Sequence, residues 1–227
     1  MPTGRKLIAL TYDDGPDPKM TPKLLELLKS LNVPATFFLQ GINVKHFPSL
    51  VREEFEGGYQ IGNHTYDHPQ LTKLSREKIK SQLESTDELI TSVTGQKIRY
   101  MRPPYGAENA TVREICKDMG YQIINWDVDT NDWQKRSSEK IIDTIMSQAH
   151  DGSIILMHDR FEKGQPTILE ATSAVVPALR AKGYTFVTVD EMLKQAREAN
   201  AAGVPADGNT SGGAVLPAGA AAATTAP

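Results

Sequence analysis

Short apolar runs alternate with amphipathic stretches from residue 7 to residue 197 of this 227-residue chain, and that alternation leaves few folds open. Runs at 7–10, 35–39, 59–62, 98–101, 121–128, 153–157 and 185–187 read as seven strands. Between them, leucines and isoleucines at helical spacing mark 21–31, 48–55, 75–93, 111–119, 137–148 and 167–182, with a closing helix over 190–197. The stops agree: Asn32-Val-Pro34 ends the first helix, Gly57-Gly58 the second and Gly95 the third. Strands alternating with helices across short connections require a parallel sheet under helical cover, either open or closed into a barrel.

In such a fold, groups that follow successive strands converge at one end of the sheet. Five short motifs stand at those positions: Thr11-Tyr-Asp-Asp-Gly-Pro16, His64-Thr-Tyr-Asp-His-Pro69, Arg102-Pro-Pro-Tyr-Gly106, Asp129-Thr-Asn-Asp-Trp133 and Leu156-Met-His-Asp159. Together they supply carboxylates, imidazoles, an arginine and an aromatic wall, the inventory of a metal-dependent hydrolase. His64 and His68 are spaced to converge on one cation, although that spacing alone is weak in a chain with five histidines. Pro69 allows them at most a single turn, which suits a loop held at a strand end. A third ligand is needed, and the acidic pair Asp13-Asp14 is similarly placed. Two carboxylates before Gly15-Pro16 also suit a plain turn. Neighbouring side chains diverge, however, so one can ligate a metal while the other addresses water. A site of two histidines and one carboxylate leaves positions open for water and substrate, and its metal lowers the pKa of that water toward about 7.

The rest of the sequence narrows the class. A 39% hydrophobic content supports one domain with a substantial core, placed over 1–198. Residues 199–227 are rich in Ala, Gly, Pro and Thr, bury too little to offset their ordering entropy, and read as a disordered tail. A formal charge of -3 gives no bulk attraction to nucleic acid or to an anionic membrane. No stretch approaches the roughly 20 apolar residues of a membrane span. The single Cys116 excludes an internal disulfide framework and sits in a helical apolar pattern as a core residue. Met1-Pro-Thr-Gly-Arg-Lys6 lacks the apolar centre of a signal peptide, so the chain is either cytoplasmic or lacks a removed leader. A monomer is expected.

The five motifs resemble, in order and spacing, those of the polysaccharide deacetylase family, the carbohydrate esterases with the chitooligosaccharide deacetylase homology domain. The resemblance covers about residues 7–193. It implies an α/β fold, a distorted (β/α) barrel with about seven strands, and hydrolytic removal of acetyl groups from N-acetylated sugars of peptidoglycan or chitin. O-deacetylation of acetylated xylan is the alternative. Carried over by motif, it makes Asp13 the general base, oriented by Arg102, and Asp14, His64 and His68 the ligands of one divalent metal. Zinc is expected first, with cobalt, nickel or manganese open to the same ligands. His158 becomes the general acid, Asp129 its hydrogen-bond partner, the Tyr105 N–H an oxyanion donor, Trp133 a groove wall and Leu156 a lining of the acetyl methyl pocket. Asp132 receives only a supporting role. Tyr12 stands where the family often has Phe, and Thr65 where it accepts Ser or Thr; neither change touches the acids. An acetylated polymer as partner implies an extracellular or cell-surface setting. A catalytically silent glycan-binding domain would lack a ligand, the base or the acid, and none is missing.

Overall fold

The computed structural model describes residues 5–160 and 167–201. Eight parallel strands are present among them: β1 (Leu7–Asp13), β2 (Thr36–Leu39), β3 (Gln60–Asn63), β4 (Tyr100–Met101), β5 (Gln122–Ile123), β6 (Val128–Asp129), β7 (Ser153–His158) and β8 (Thr185–Phe186). Seven form one path, β5-β4-β3-β2-β1-β7-β6, while β8 pairs with the first residues of β1. The helices are α1 (Thr21–Ser30), α2 (Gly41–His46), α3 (Pro48–Glu56), α4 (Arg76–Thr94), α5 (Ala110–Asp118), α6 (Ser138–Gln148), α7 (Thr167–Ala181) and α8 (Val189–Ala201). Local chemistry sets their ends. The Ser75 side chain accepts from the Lys78 N–H at the start of α4, and Gly95 closes that helix with φ 70°. Asn109 caps α5 by accepting from the Val112 N–H.

Alternation along β1 divides the interior into two layers. Ile8, Leu10 and Tyr12 pack outward against the helices in the larger core. Leu7 and Ala9 face the barrel axis, where they meet Phe38, Tyr100, Ile124 and Ile154. Val189, Met192 and Leu193 of α8 join that inner cluster, so α8 fills the end of the barrel where the strands begin. The Val189 N–H donates to Thr36 Oγ1 and the Asp190 N–H to Gln60 Oε1, fixing α8 beneath the first residues of β2 and β3. The opposite end, where the strands finish, is left for the motifs.

The expected strand over 121–128 is two strands at opposite edges of the sheet. The Ile124 N–H still donates to the Met101 carbonyl, whereas the Asp127 N–H donates to that of Ile154. One segment therefore crosses from one edge to the other, and the barrel is closed by chain connectivity without β5 pairing to β6. That is the distortion. The six-residue α2 was not expected, because Gly41-Ile-Asn-Val-Lys-His46 is too short to show a helical period. The closing helix runs to Ala201, past the boundary expected at 198, and the remaining tail lies outside the described residues.

The barrel interior is tightest at Gly62, where an added Cβ would lie 2.5 Å from the Phe38 ring. That ring also supports the guanidinium of Arg102, 4.2 Å from its centroid. Gly62→Ala should destabilise the protein by about 1–3 kcal/mol in urea unfolding, through overpacking against the Phe38 ring.

Candidate active site at the carboxyl ends of the strands

All five motifs emerge at the same end of the barrel. Asp13 ends β1 and pairs in register with His158, the last residue of the neighbouring β7. The chain then turns left-handed at Asp14, φ 73°, which separates the two adjacent carboxylates. Asp13 Oδ1 accepts from Arg102 Nη1 at 2.7 Å, while Asp14 Oδ1 lies 3.6 Å from both His64 Nε2 and His68 Nε2. After β3, Thr65 and His68 also take left-handed backbone, at φ 67° and 62°. The resulting loop brings the two imidazoles edge to face with centroids 4.9 Å apart. Six of the eight described non-glycine residues with positive φ stand in the motif loops: Asp14, Thr65, His68, Tyr105, Asn131 and Lys135. Each such backbone costs on the order of 1–3 kcal/mol and persists only where its surroundings over-determine it.

Asp14, His64 and His68 each offer a ligand atom, all within 4.8 Å of one another. Their protonation suits a metal. His64 Nδ1 is 2.8 Å from the Arg102 carbonyl oxygen and donates to it, so Nε2 presents its lone pair toward Asp14. Burial, helped by His64, pushes His68 down to about 4 and keeps it neutral. Burial alone would raise Asp14, but His64, His158 and His68 outweigh it and hold the carboxyl below its ordinary range. Ligation requires a carboxylate and neutral imidazoles, so the residues present fit a divalent ion.

Arg102 is fully buried and uses its whole fork. Nε donates to the Ile124 carbonyl at 3.0 Å, Nη1 to Thr11 Oγ1 at 2.8 Å as well as to Asp13, and Nη2 to the Asn125 carbonyl at 3.3 Å. Burial lowers its pKa and the Asp13 charge opposes that.

The expected partner of His158 is corrected. Asp132 holds the imidazole: its Oδ1 is 2.8 Å from His158 Nδ1, and its Oδ2 accepts the His158 N–H at 2.8 Å. Asp129 instead turns back along its own chain, accepting the Asn131 N–H at 2.8 Å in an Asx turn. That turn sets Asn131 left-handed and aims the following residue inward. Burial would lower the His158 pKa, but the Asp132 bond and charge, with Asp13 and Asp14, push it up to about 9.

Around His158 a small cleft is lined by Met20, Asp132, Trp133, Arg160 and Ile168, with Asp14 at its inner edge. Trp133 is 56% exposed on the cleft wall, and Tyr105, 67% exposed, stands against His68 with ring centroids 4.7 Å apart. Leu156 lies on the inward face of β7, one step below His158, buried and outside that lining. Gln40 and Asn43 are functional-site residues that no motif announced. The Gln40 side chain donates to Asp14 Oδ1 at 2.6 Å, and the Asn43 side chain to the Asp14 carbonyl at 2.8 Å. Asp159, the last motif residue, is buried behind the Asp13-Asp14-Gly15 turn and accepts from Thr21 Oγ1 at 2.5 Å.

A curled parallel barrel with one aspartate and two histidines gathered at its open end defines a class, the (β/α) barrels with a cluster of side chains able to hold a metal ion. The polysaccharide deacetylase family model matches residues 1–124, more than half of the chain, and the chain belongs to that family. A peptidoglycan-N-acetylglucosamine deacetylase of Listeria monocytogenes is 43% identical over 187 residues, covering 82% of this chain and 39% of the relative's length. This chain therefore spans about two fifths of that relative. A peptidoglycan-N-acetylglucosamine deacetylase of Bacillus cereus is 36% identical over 197 residues, covering 87% of this chain and 72% of the relative. The solved structure of peptidoglycan deacetylase PdaC from Bacillus subtilis matches with a TM-score of 0.81 at 34% identity, over 89% of this chain and 97% of that one.

The two aspartates of the fourth motif can be told apart by titration. In the metal-free protein, NMR titration of His158 should give a pKa lowered by a unit or more in Asp132→Asn, a loss of about 1.4 kcal/mol per unit, and left unchanged in Asp129→Asn. Because the folded-state pKa is raised, the stability this group contributes is fully present below about 6.5 and lost as pH rises toward about 9.

Proposed function

We propose that this chain is a metal-dependent deacetylase that hydrolyses the acetamide of N-acetylglucosamine units in peptidoglycan or chitin-type oligomers, releasing acetate and a free amine. The observation that carries this reading is the pairing of Asp13 with His158 on adjacent strands, at the same barrel end as the Asp14, His64 and His68 set. A base and an acid thus face one substrate position. The relatives' names point to the N-acetylglucosamine units of peptidoglycan. Acetylated glycans of this kind place the protein at the cell surface or outside the cell.

A divalent ion held by Asp14, His64 and His68, with zinc the first expectation, supplies Lewis-acid polarisation of the acetyl carbonyl and acidifies water beside it. The protein's own groups do the rest. Arg102 fixes Asp13 Oδ1, leaving Oδ2, 3.6 Å from His64 Nε2, to take a proton from the attacking water. The Tyr105 N–H at the rim donates to the oxyanion that forms as the carbonyl becomes tetrahedral, worth about 3–4 kcal/mol for one well-placed donor. His158, kept cationic by Asp132, gives its proton to the sugar nitrogen as the C–N bond breaks. A strongly held proton matters more for an amine leaving group than for an alkoxide, which favours N-acetyl over O-acetyl substrates. Trp133 forms a flat wall against which a sugar ring can stack.

The test is acetate release from N-acetylglucosamine oligomers and from acetylated xylan, with metal content measured on the same preparation. Release should be faster from the N-acetylated oligomers and abolished by a chelator. Asp13→Asn should lose turnover by at least about a hundredfold while retaining metal, whereas His64→Ala should lose both. Full activity of the Asp13→Asn protein would contradict the assignment.

A further inference from the structure

Asn63 ends β3 immediately before His64, and its side chain is completely buried and fully engaged. Its Oδ1 accepts the Thr65 N–H at 2.8 Å. Its Nδ2 lies 2.9 Å from the Leu83 carbonyl, 3.1 Å from Asp87 Oδ1 and 2.9 Å from the Tyr121 hydroxyl. Because an amide nitrogen donates and its oxygen accepts, these partners also fix which way the amide points. The side chain is anchored to α4 through Leu83 and Asp87, and to the start of the β5 segment through Tyr121. From that anchor it reaches one backbone group of the histidine loop.

That group belongs to the residue whose conformation the loop most needs. Thr65 is β-branched, yet its φ is 67°, a region such side chains rarely adopt without outside support. Its neighbours depend on the same geometry. Thr65 Oγ1 accepts the His68 N–H at 3.2 Å, and the Thr65 carbonyl accepts the Gly41 N–H at 2.9 Å, where α2 begins. The Asn63 carbonyl accepts the Arg102 N–H, and the Arg102 carbonyl accepts from His64 Nδ1. Asn63 thus touches the routes to both imidazoles without touching the ligand position itself.

We propose that Asn63 is a positioning residue for metal binding, holding through the Thr65 amide the left-handed turn that carries His64 and His68 to Asp14. The inference rests on the metal reading of those three ligands. Two variants and two readouts test it: zinc affinity by competition with a chromophoric chelator, and hydrogen exchange of the Thr65 amide in the metal-free protein. Asn63→Leu keeps the volume but removes the acceptor; zinc affinity should fall 10–100-fold and the Thr65 amide should exchange faster. The double variant Asn63→Asp with Asp87→Asn keeps an acceptor for Thr65 and exchanges the carboxylate and amide across the cluster. It should bind zinc within about threefold of the unaltered protein, with a slowly exchanging Thr65 amide, and it remains decisive if Asn63→Leu does not fold. Unchanged zinc affinity in a folded Asn63→Leu protein, or weakened binding in a folded double variant whose Thr65 amide still exchanges slowly, would overturn the proposal alone. Failure of the unaltered protein to bind zinc, cobalt, nickel or manganese would overturn the metal reading and this inference with it.

Discussion

The site depends on one buried ion pair, Arg102 with Asp13. A guanidinium with no exposed surface carries a desolvation cost of several kcal/mol, which only good geometry offsets. The geometry is supplied from three directions: Thr11 and Asp13 of β1, the carbonyls of Ile124 and Asn125 in the crossing segment, and the Phe38 ring beneath. Removing one partner of such a pair leaves an uncompensated charge and costs about 3–5 kcal/mol. The same contacts that orient Asp13 therefore also tie the crossing segment across the gap between β5 and β6. Closure of the barrel and placement of the Asp13 carboxylate are a single constraint.

From that constraint the other roles follow in order. With Asp13 turned toward Arg102, the left-handed residue Asp14 faces the histidine loop, and Gln40, just before α2, and Asn43 within it secure it there. The Arg102 carbonyl sets the tautomer of His64. On the far side, strand register delivers His158 opposite Asp13, and Asp132 holds its proton. Because Val189, Met192 and Leu193 of α8 pack into the inner core at the other end of the barrel, the motif groups are gathered where the strands finish.

Much of this was legible in the sequence. Apolar alternation located the strands, and a motif after each strand end necessarily falls at the carboxyl edge of a parallel sheet, which is why the Asp13-Asp14 pair could be grouped with His64 and His68 from the sequence, with Asp14 singled out as the ligand by the family resemblance. What stayed hidden has physical reasons. The run 121–128 mixes Tyr121, Ile123, Ile124, Trp126 and Val128 with Gln122, Asn125 and Asp127, and nothing in that mixture records that its two halves pair with opposite edges. Asp129 and Asp132 share one motif, and the choice between them depends on the Asx turn at Asn131, a matter of backbone and not of composition. Gln40, Asn43 and Asn63 are neutral amides that work through single hydrogen bonds, and residue type alone does not separate them from surface amides.

The central claim is that the planar fork of Arg102, and not its charge alone, makes Asp13 a working base. Arg102→Lys keeps the charge but cannot reach Thr11, Asp13, Ile124 and Asn125 together. The decisive measurement is kcat/KM for acetate release from an N-acetylglucosamine oligomer by folded, zinc-loaded Arg102→Lys protein. The account predicts a loss of about a hundredfold or more with zinc affinity retained; a rate equal to that of the unaltered protein would contradict it.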